Sequence, residues 1–211
     1  MNKSIDIINI LTQEEFCKGI EEFEKREKRD AMYKVATFII SHYWGRSFDM
    51  ANGLGVLLLT WNQAFYRYGN FDFDKLERCI NINFKELETF RNRNITSLSE
   101  SDEKDIADLF KEFLKALQID SGKMQGRASP VAVSKALHLL APDFFPIWDQ
   151  KIAKAYRYNY YKNPEKKYFS FCRIIKNVAD KVEDYVVHSD KTLVKLIDEY
   201  NFSKYTGGWI Q

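Results

Sequence analysis

Apolar residues recur along this chain at the three- and four-residue spacing of helices, and no segment keeps the two-residue alternation of a half-buried strand. The clearest case is Ile106, Leu109, Phe110, Phe113, Leu114 and Leu117, which all fall on one helical face behind a cap at Ser101 and an acidic first turn, Asp102-Glu103. Upstream, Thr12-Gln-Glu-Glu15 has the form of a capping box and opens a helix with Phe16, Ile20 and Phe23 on one side. Further helices are predicted over 31–43, 48–68, 73–80 and 84–94, and after residue 149 over 150–161, 164–185 and 191–200. Gly53 and Gly55 lie inside the predicted helix 48–68 and mark places where another element approaches closely. The pattern predicts an all-α protein of roughly ten helices. It forms a single unit over 1–211, or two interleaved lobes made of 30–120 and of 1–29 with 121–211.

A chain of 211 residues can bury a sizeable core without disulfides or a metal. Aromatic content is high at 15%, while Gly and Pro are scarce, which excludes a disordered chain and a turn-rich β protein. The net charge of +2 means that nucleic-acid binding would depend on local patches. Cys17, Cys79 and Cys172 are far apart and three histidines have no ligand spacing, so neither a disulfide framework nor a metal site is expected. Gly53-Leu-Gly55 is no nucleotide fingerprint, since no strand precedes it. The charged start of the chain and the short apolar window 53–61 predict a cytoplasmic protein with no membrane partner and no cofactor.

Chemistry concentrates between Ser129 and Asp149. Ser129-Pro130 starts an apolar helix carrying Lys135 and His138, and Pro142 ends it. A turn rich in proline and aromatics, Phe144-Phe-Pro146-Ile-Trp148, then delivers Asp149 to the head of the next helix. An amine near a helix N-terminus among apolar groups has a depressed pKa, and a neutral amine attacks carbon centres such as the anomeric carbon of a sugar. Asp149 would stabilise the positive charge developing there, with His138 and Trp148 in the pocket wall. The plainer alternative makes Asp149 a helix cap and Lys135 its ion-pair partner or a solvated side chain.

The order of these elements resembles the helix-hairpin-helix DNA glycosylases, all-α enzymes that remove damaged bases. Val131-Ala-Val-Ser-Lys135-Ala is similar to that family's hairpin and catalytic lysine, and Phe145-Pro-Ile-Trp-Asp149 to its aspartate turn. The apolar helix ending in Trp61-Asn-Gln63 is similar to the one whose glutamine probes the DNA stack. The likeness covers residues 48–160. It implies Lys135 and Asp149 as catalytic residues and Gln63 as a DNA contact. The family's hairpin glycines are absent at Val131 and Val133, and the Lys135–Asp149 spacing is short for it. A second register puts Gly126-Arg-Ala at the hairpin and Pro130 in the lysine position, which leaves no nucleophile.

Two further stretches suit DNA. Lys123, Gly126, Arg127 and Ser129 lead into a helix start, where free N–H groups favour an anion. From Lys151 to Arg173, seven basic residues, Lys162, Lys166 and Lys167 among them, face a single acid, Glu165, with Tyr156, Tyr158, Tyr160, Tyr161 and Tyr168 interleaved. Such tyrosines either stack on bases or pack inward. His42 and His188 carry no chemistry in this reading. A DNA glycosylase is therefore the leading expectation, and its rival is a non-catalytic helical module that keeps a related core and binds a protein partner.

Overall fold

The computed structural model describes residues 11–27, 30–158, 162–186 and 189–211; Tyr160, Tyr161 and His188 lie outside them. These residues form eleven α-helices and no strand. They are α1 (Gln13–Arg26), α2 (Ala31–His42), α3 (Ser47–Trp61), α4 (Gln63–Tyr66), α5 (Phe73–Ile82), α6 (Phe84–Arg91), α7 (Glu103–Ala116), α8 (Pro130–Leu140), α9 (Gln150–Ala155), α10 (Pro164–Val182) and α11 (Leu193–Asn201). A π-helical turn, Phe202–Thr206, follows α11.

The helices begin where side chains can take up the orphan N–H groups of a first turn. The Thr12 hydroxyl accepts from the Glu15 amide at the head of α1, and the Asp72 carboxylate accepts from Asp74 and Lys75 at the head of α5. At α7 the start differs from the expected Ser101 cap. The chain enters through a 3-10 turn, Glu100–Asp102, in which Asp102 accepts from the Ser99 amide while the Arg93 guanidinium grips both its oxygens at 2.8 Å. That fork holds the Asp102 carboxyl below its ordinary range.

Helix α7 is the central strut. Ile106, Leu109, Phe110 and Phe113 are buried as the periodicity requires, with α10 and α5 against them and α8 alongside. Helices α2 and α3 pack together, and α3 lies across α5. The glycines of α3 permit both contacts, because a side chain at Gly53 would run into Ile39 and one at Gly55 into Phe73. Helix α1 packs on α11 and on the π turn, so the start of the described chain closes against its end. The sequence predicts one helix over 48–68, but the ladder breaks at Asn62. Helix α3 therefore ends at Trp61, whose carbonyl is met by α8.

Candidate functional site

Helix α8 is built to be surrounded. Ser129 caps it, its hydroxyl accepting from the Ala132 amide and from Asn62 Nδ2, and Pro130 occupies the first turn where no N–H is needed. Every residue from Ala132 to Leu140 is buried, Lys135 included. Its Nζ donates to the Trp61 carbonyl at 3.0 Å and lies 4.5 Å from the centre of the Trp61 ring. The C-terminal end of α3 thus supplies an orphan carbonyl and an aromatic face to a single ammonium. Burial nonetheless dominates and lowers the amine from 10.5 to about 8, while the charges of Asp198 and Asp149 act to raise it. Roughly a tenth of the amine is neutral at pH 7. Because the unfolded chain holds that proton more tightly, the fold gives up stability as pH falls from 10.5 towards 8, and the deficit is constant below that. Its size is on the order of 3 kcal/mol.

Asp149 is the N-cap of α9. Oδ1 accepts from the Ile152 amide at 2.7 Å and Oδ2 accepts from the Thr206 hydroxyl at 2.9 Å. It forms no ion pair with Lys135 within 4.0 Å, so the clamp anticipated as an alternative is absent; the two groups act on one another only through their fields. The same carboxylate is both a helix cap and an electrostatic neighbour of the amine.

A third group completes the cluster. Asp198, on α11, is only part-buried, yet desolvation pushes its carboxyl up to about 7. Asp149 and Glu199 push the same way, and Lys195 and Lys135 oppose them. Lys195 is itself buried beneath the rings of Phe23 and Tyr33, 3.0 Å from Asp30 and 3.4 Å from Glu199. Above these groups opens a cavity of about 290 Å³, walled by Phe23, Met32, Trp61 and Phe202 and edged by Glu27, Asp30, Lys195 and Asp198. Trp61 and Asp198 belong to both assemblies: they line the cavity and they hold or polarise the Lys135 amine.

His138 and Trp148 lie elsewhere than the sequence suggests. Neither lines this cavity, and both are fully buried. His138 directs Nδ1 at the Phe145 carbonyl, 2.7 Å away, and burial lowers its imidazole to about 4, which keeps it neutral. Trp148 packs between Phe110, Tyr168 and Phe171.

The hairpin also sits elsewhere. Residues 131–134, read from the sequence as hairpin, are helical, because the Ser129 cap and Pro130 have already started α8. The turn joining α7 to α8 spans 117–129. Ile119 donates to the Arg127 carbonyl and Gly126 to the Ile119 carbonyl, both at 2.8 Å, with Gly122 and Gly126 in left-handed conformations. These left-handed glycines lie in this turn and not at 131–134, and Lys135 lies further along, inside α8. Lys123 and Arg127 are exposed on the hairpin. Ser129 is buried and the Gly126 N–H is spent within the hairpin, so neither offers a free group to a phosphate.

The segment 62–70 braces this hairpin. Asp120 donates its amide to the Asn70 carbonyl, and the Tyr66 hydroxyl donates to the Leu117 carbonyl. Gln63 is exposed here, beside Arg67 and a Tyr68 that is 62% exposed. Arg67 and Tyr68 carry no motif; they lie on the segment that packs on the hairpin bearing Lys123 and Arg127. The basic segment is different. Lys162 and Lys166 are exposed and Lys167 half-buried at the start of α10. Tyr156 and Tyr168, however, are buried with hydroxyls bonded to Asn201 and to the Pro146 carbonyl, so these two rings serve the core and cannot stack on bases.

No group of His, Cys, Asp and Glu among the described residues could hold a metal ion, and none of their helices is long and apolar enough to cross a membrane. Comparison of the chain with protein-family models, with curated proteins and with solved structures returned no match.

Proposed function

We propose that this protein excises a base from DNA, with the Lys135 amine attacking the anomeric carbon of a nucleotide turned out of the stack. The observation that carries this reading is the placement of one buried, partly neutral amine against Trp61, a residue that itself lines an aromatic cavity, and within the fields of two carboxylates. An ammonium held at a cost of stability in an apolar helix is an arrangement that packing alone does not favour.

The chemistry follows from the groups present. The neutral amine forms a bond to the anomeric carbon as the glycosidic C–N bond breaks, and the base departs with the bonding pair and takes up a proton. Positive charge spreads over the sugar at that moment, and the fixed carboxylate of Asp149 stabilises it without reorganising. The nitrogen lone pair then forms the C=N bond as the ring C–O bond breaks. The ring oxygen keeps the bonding pair and takes a proton from water, and a protonated Schiff base remains on Lys135. The exposed cations Arg67, Lys123 and Arg127 would take the phosphates on either side of the flipped nucleotide, with Gln63 and Tyr68 against the stack. Lys162, Lys166 and Lys167 would extend the track.

A panel of duplexes, each carrying one altered or mismatched base, tests the reading. Free base should appear under single-turnover conditions with at least one of them. Binding should weaken steeply with salt, and neutralising Lys123 and Arg127 together should lower the slope of log K against log salt by up to about 2. No released base across the panel and salt-insensitive binding would instead favour a protein-interaction module. One observation supports that second reading: Met32, Val35 and Phe38 on α2 and Val56 on α3 are 42–69% exposed.

A further inference from the structure

The cavity beside Trp61 has a chemical bias that neither the amine nor Asp149 explains. Its aromatic walls, Phe23, Trp61 and Phe202, suit a flat ring, and its volume of about 290 Å³ lies at the small end of ligand pockets. Its polar edge is one-sided, with three carboxylates, Glu27, Asp30 and Asp198, against the single ammonium of Lys195. That ammonium is already committed, held 3.0 Å from Asp30 and 3.4 Å from Glu199 beneath two rings. Asp198 is the reverse case. Among the described residues no hydrogen bond reaches its carboxylate, and its ion-pair contact with Lys195, at 3.9 Å, is too long to be one. A part-buried carboxylate that lines a cavity and has no protein donor is open to a donor from a ligand.

We propose that this cavity receives a nucleobase bearing an exocyclic amino group, with its ring against Trp61 and its amino group donating to Asp198, in preference to a base that presents only carbonyls at that edge. The inference rests on the base-excision reading and names the class of base. A carbonyl oxygen turned towards Asp198 and Asp30 would meet acceptors and negative charge, whereas an amino group meets both favourably. A donor from the ligand would favour the ionised form of Asp198, which desolvation disfavours.

Cytosine and uracil have the same size and differ at that edge, so they form the cleanest test. Titrating each free base into the full-length protein and following the ligand by NMR should give cytosine a dissociation constant at least about tenfold lower than uracil. Asp198→Asn should keep the fold, checked by thermal melting, and should erase the preference because its amide offers a donor and an acceptor equally. Trp61→Phe should weaken both bases while keeping their order. Equal affinities, tighter binding of uracil, no binding of either base at millimolar concentration, or a preference that survives Asp198→Asn would each overturn the proposal. The assay involves no DNA and no bond cleavage. A cytosine preference in a protein that releases no base upholds the pocket and refutes the excision reading; excision without base preference does the reverse.

Discussion

Trp148→Ala is expected to cost about 3–5 kcal/mol of folding free energy, enough to unfold much of the population of a domain of ordinary stability. The indole is fully buried and meets Phe110, Tyr168 and Phe171 at centroid distances of 5.7–6.4 Å, so its removal opens a cavity among rigid rings that cannot collapse into it. Its backbone amide also donates to the Ser134 hydroxyl, which ties the turn after α8 back onto that helix and fixes where Asp149 emerges. Urea denaturation of the variant should show a lower midpoint with an unchanged slope. A loss below about 1 kcal/mol would mean that the ring is peripheral, as a pocket wall would be.

The second large effect is expected in catalysis and not in stability. Asp149→Asn should slow base release by about 100-fold while changing folding free energy by less than about 0.5 kcal/mol. The asymmetry comes from the proposed catalytic role, which is added to the cap that this carboxylate already forms. As a cap it needs only an oxygen for the Ile152 amide and a partner for the Thr206 hydroxyl, and an amide provides both. As a stabiliser of charge at the sugar it needs a full negative charge, which the amide lacks. Single-turnover kinetics alongside thermal melting separates the two. A variant that melts normally and releases base at the normal rate would leave Asp149 as a cap alone.

The helices were legible because their signals are local. The periodicity of α7 and the Thr12 cap of α1 depend on residues a turn apart, and the structure realises both. The break at Asn62 was not legible, since Phe48 to Tyr68 keeps one apolar rhythm across it and only packing on the hairpin decides where the ladder stops. The glycines of α3 announced close approach, but Ile39 and Phe73 as the neighbours had to come from the fold. At the site, Lys135 and Asp149 drew attention because each is out of place locally, a charge on an apolar helix and an acid beside a tryptophan. Asp198 gave no such signal. Lys195 and Asp198 stand three residues apart on α11, the spacing of a common solvated pair, and Lys195 becomes buried only when Phe23 of α1 and Tyr33 of α2 close over it. His138 and Trp148 were misplaced for a related reason: proximity in sequence to Lys135 says nothing about which side chains line the cavity.

Borohydride trapping followed by peptide mass spectrometry bears most directly on the central claim. An amine that attacks the sugar passes through a Schiff base, and reduction freezes it as a covalent protein–DNA adduct. With a duplex that the protein cleaves, the adduct should map to the peptide containing Lys135 and should vanish in a folded Lys135→Met variant. An adduct on another lysine, or base release from Lys135→Met at the rate of the unaltered protein, would contradict it.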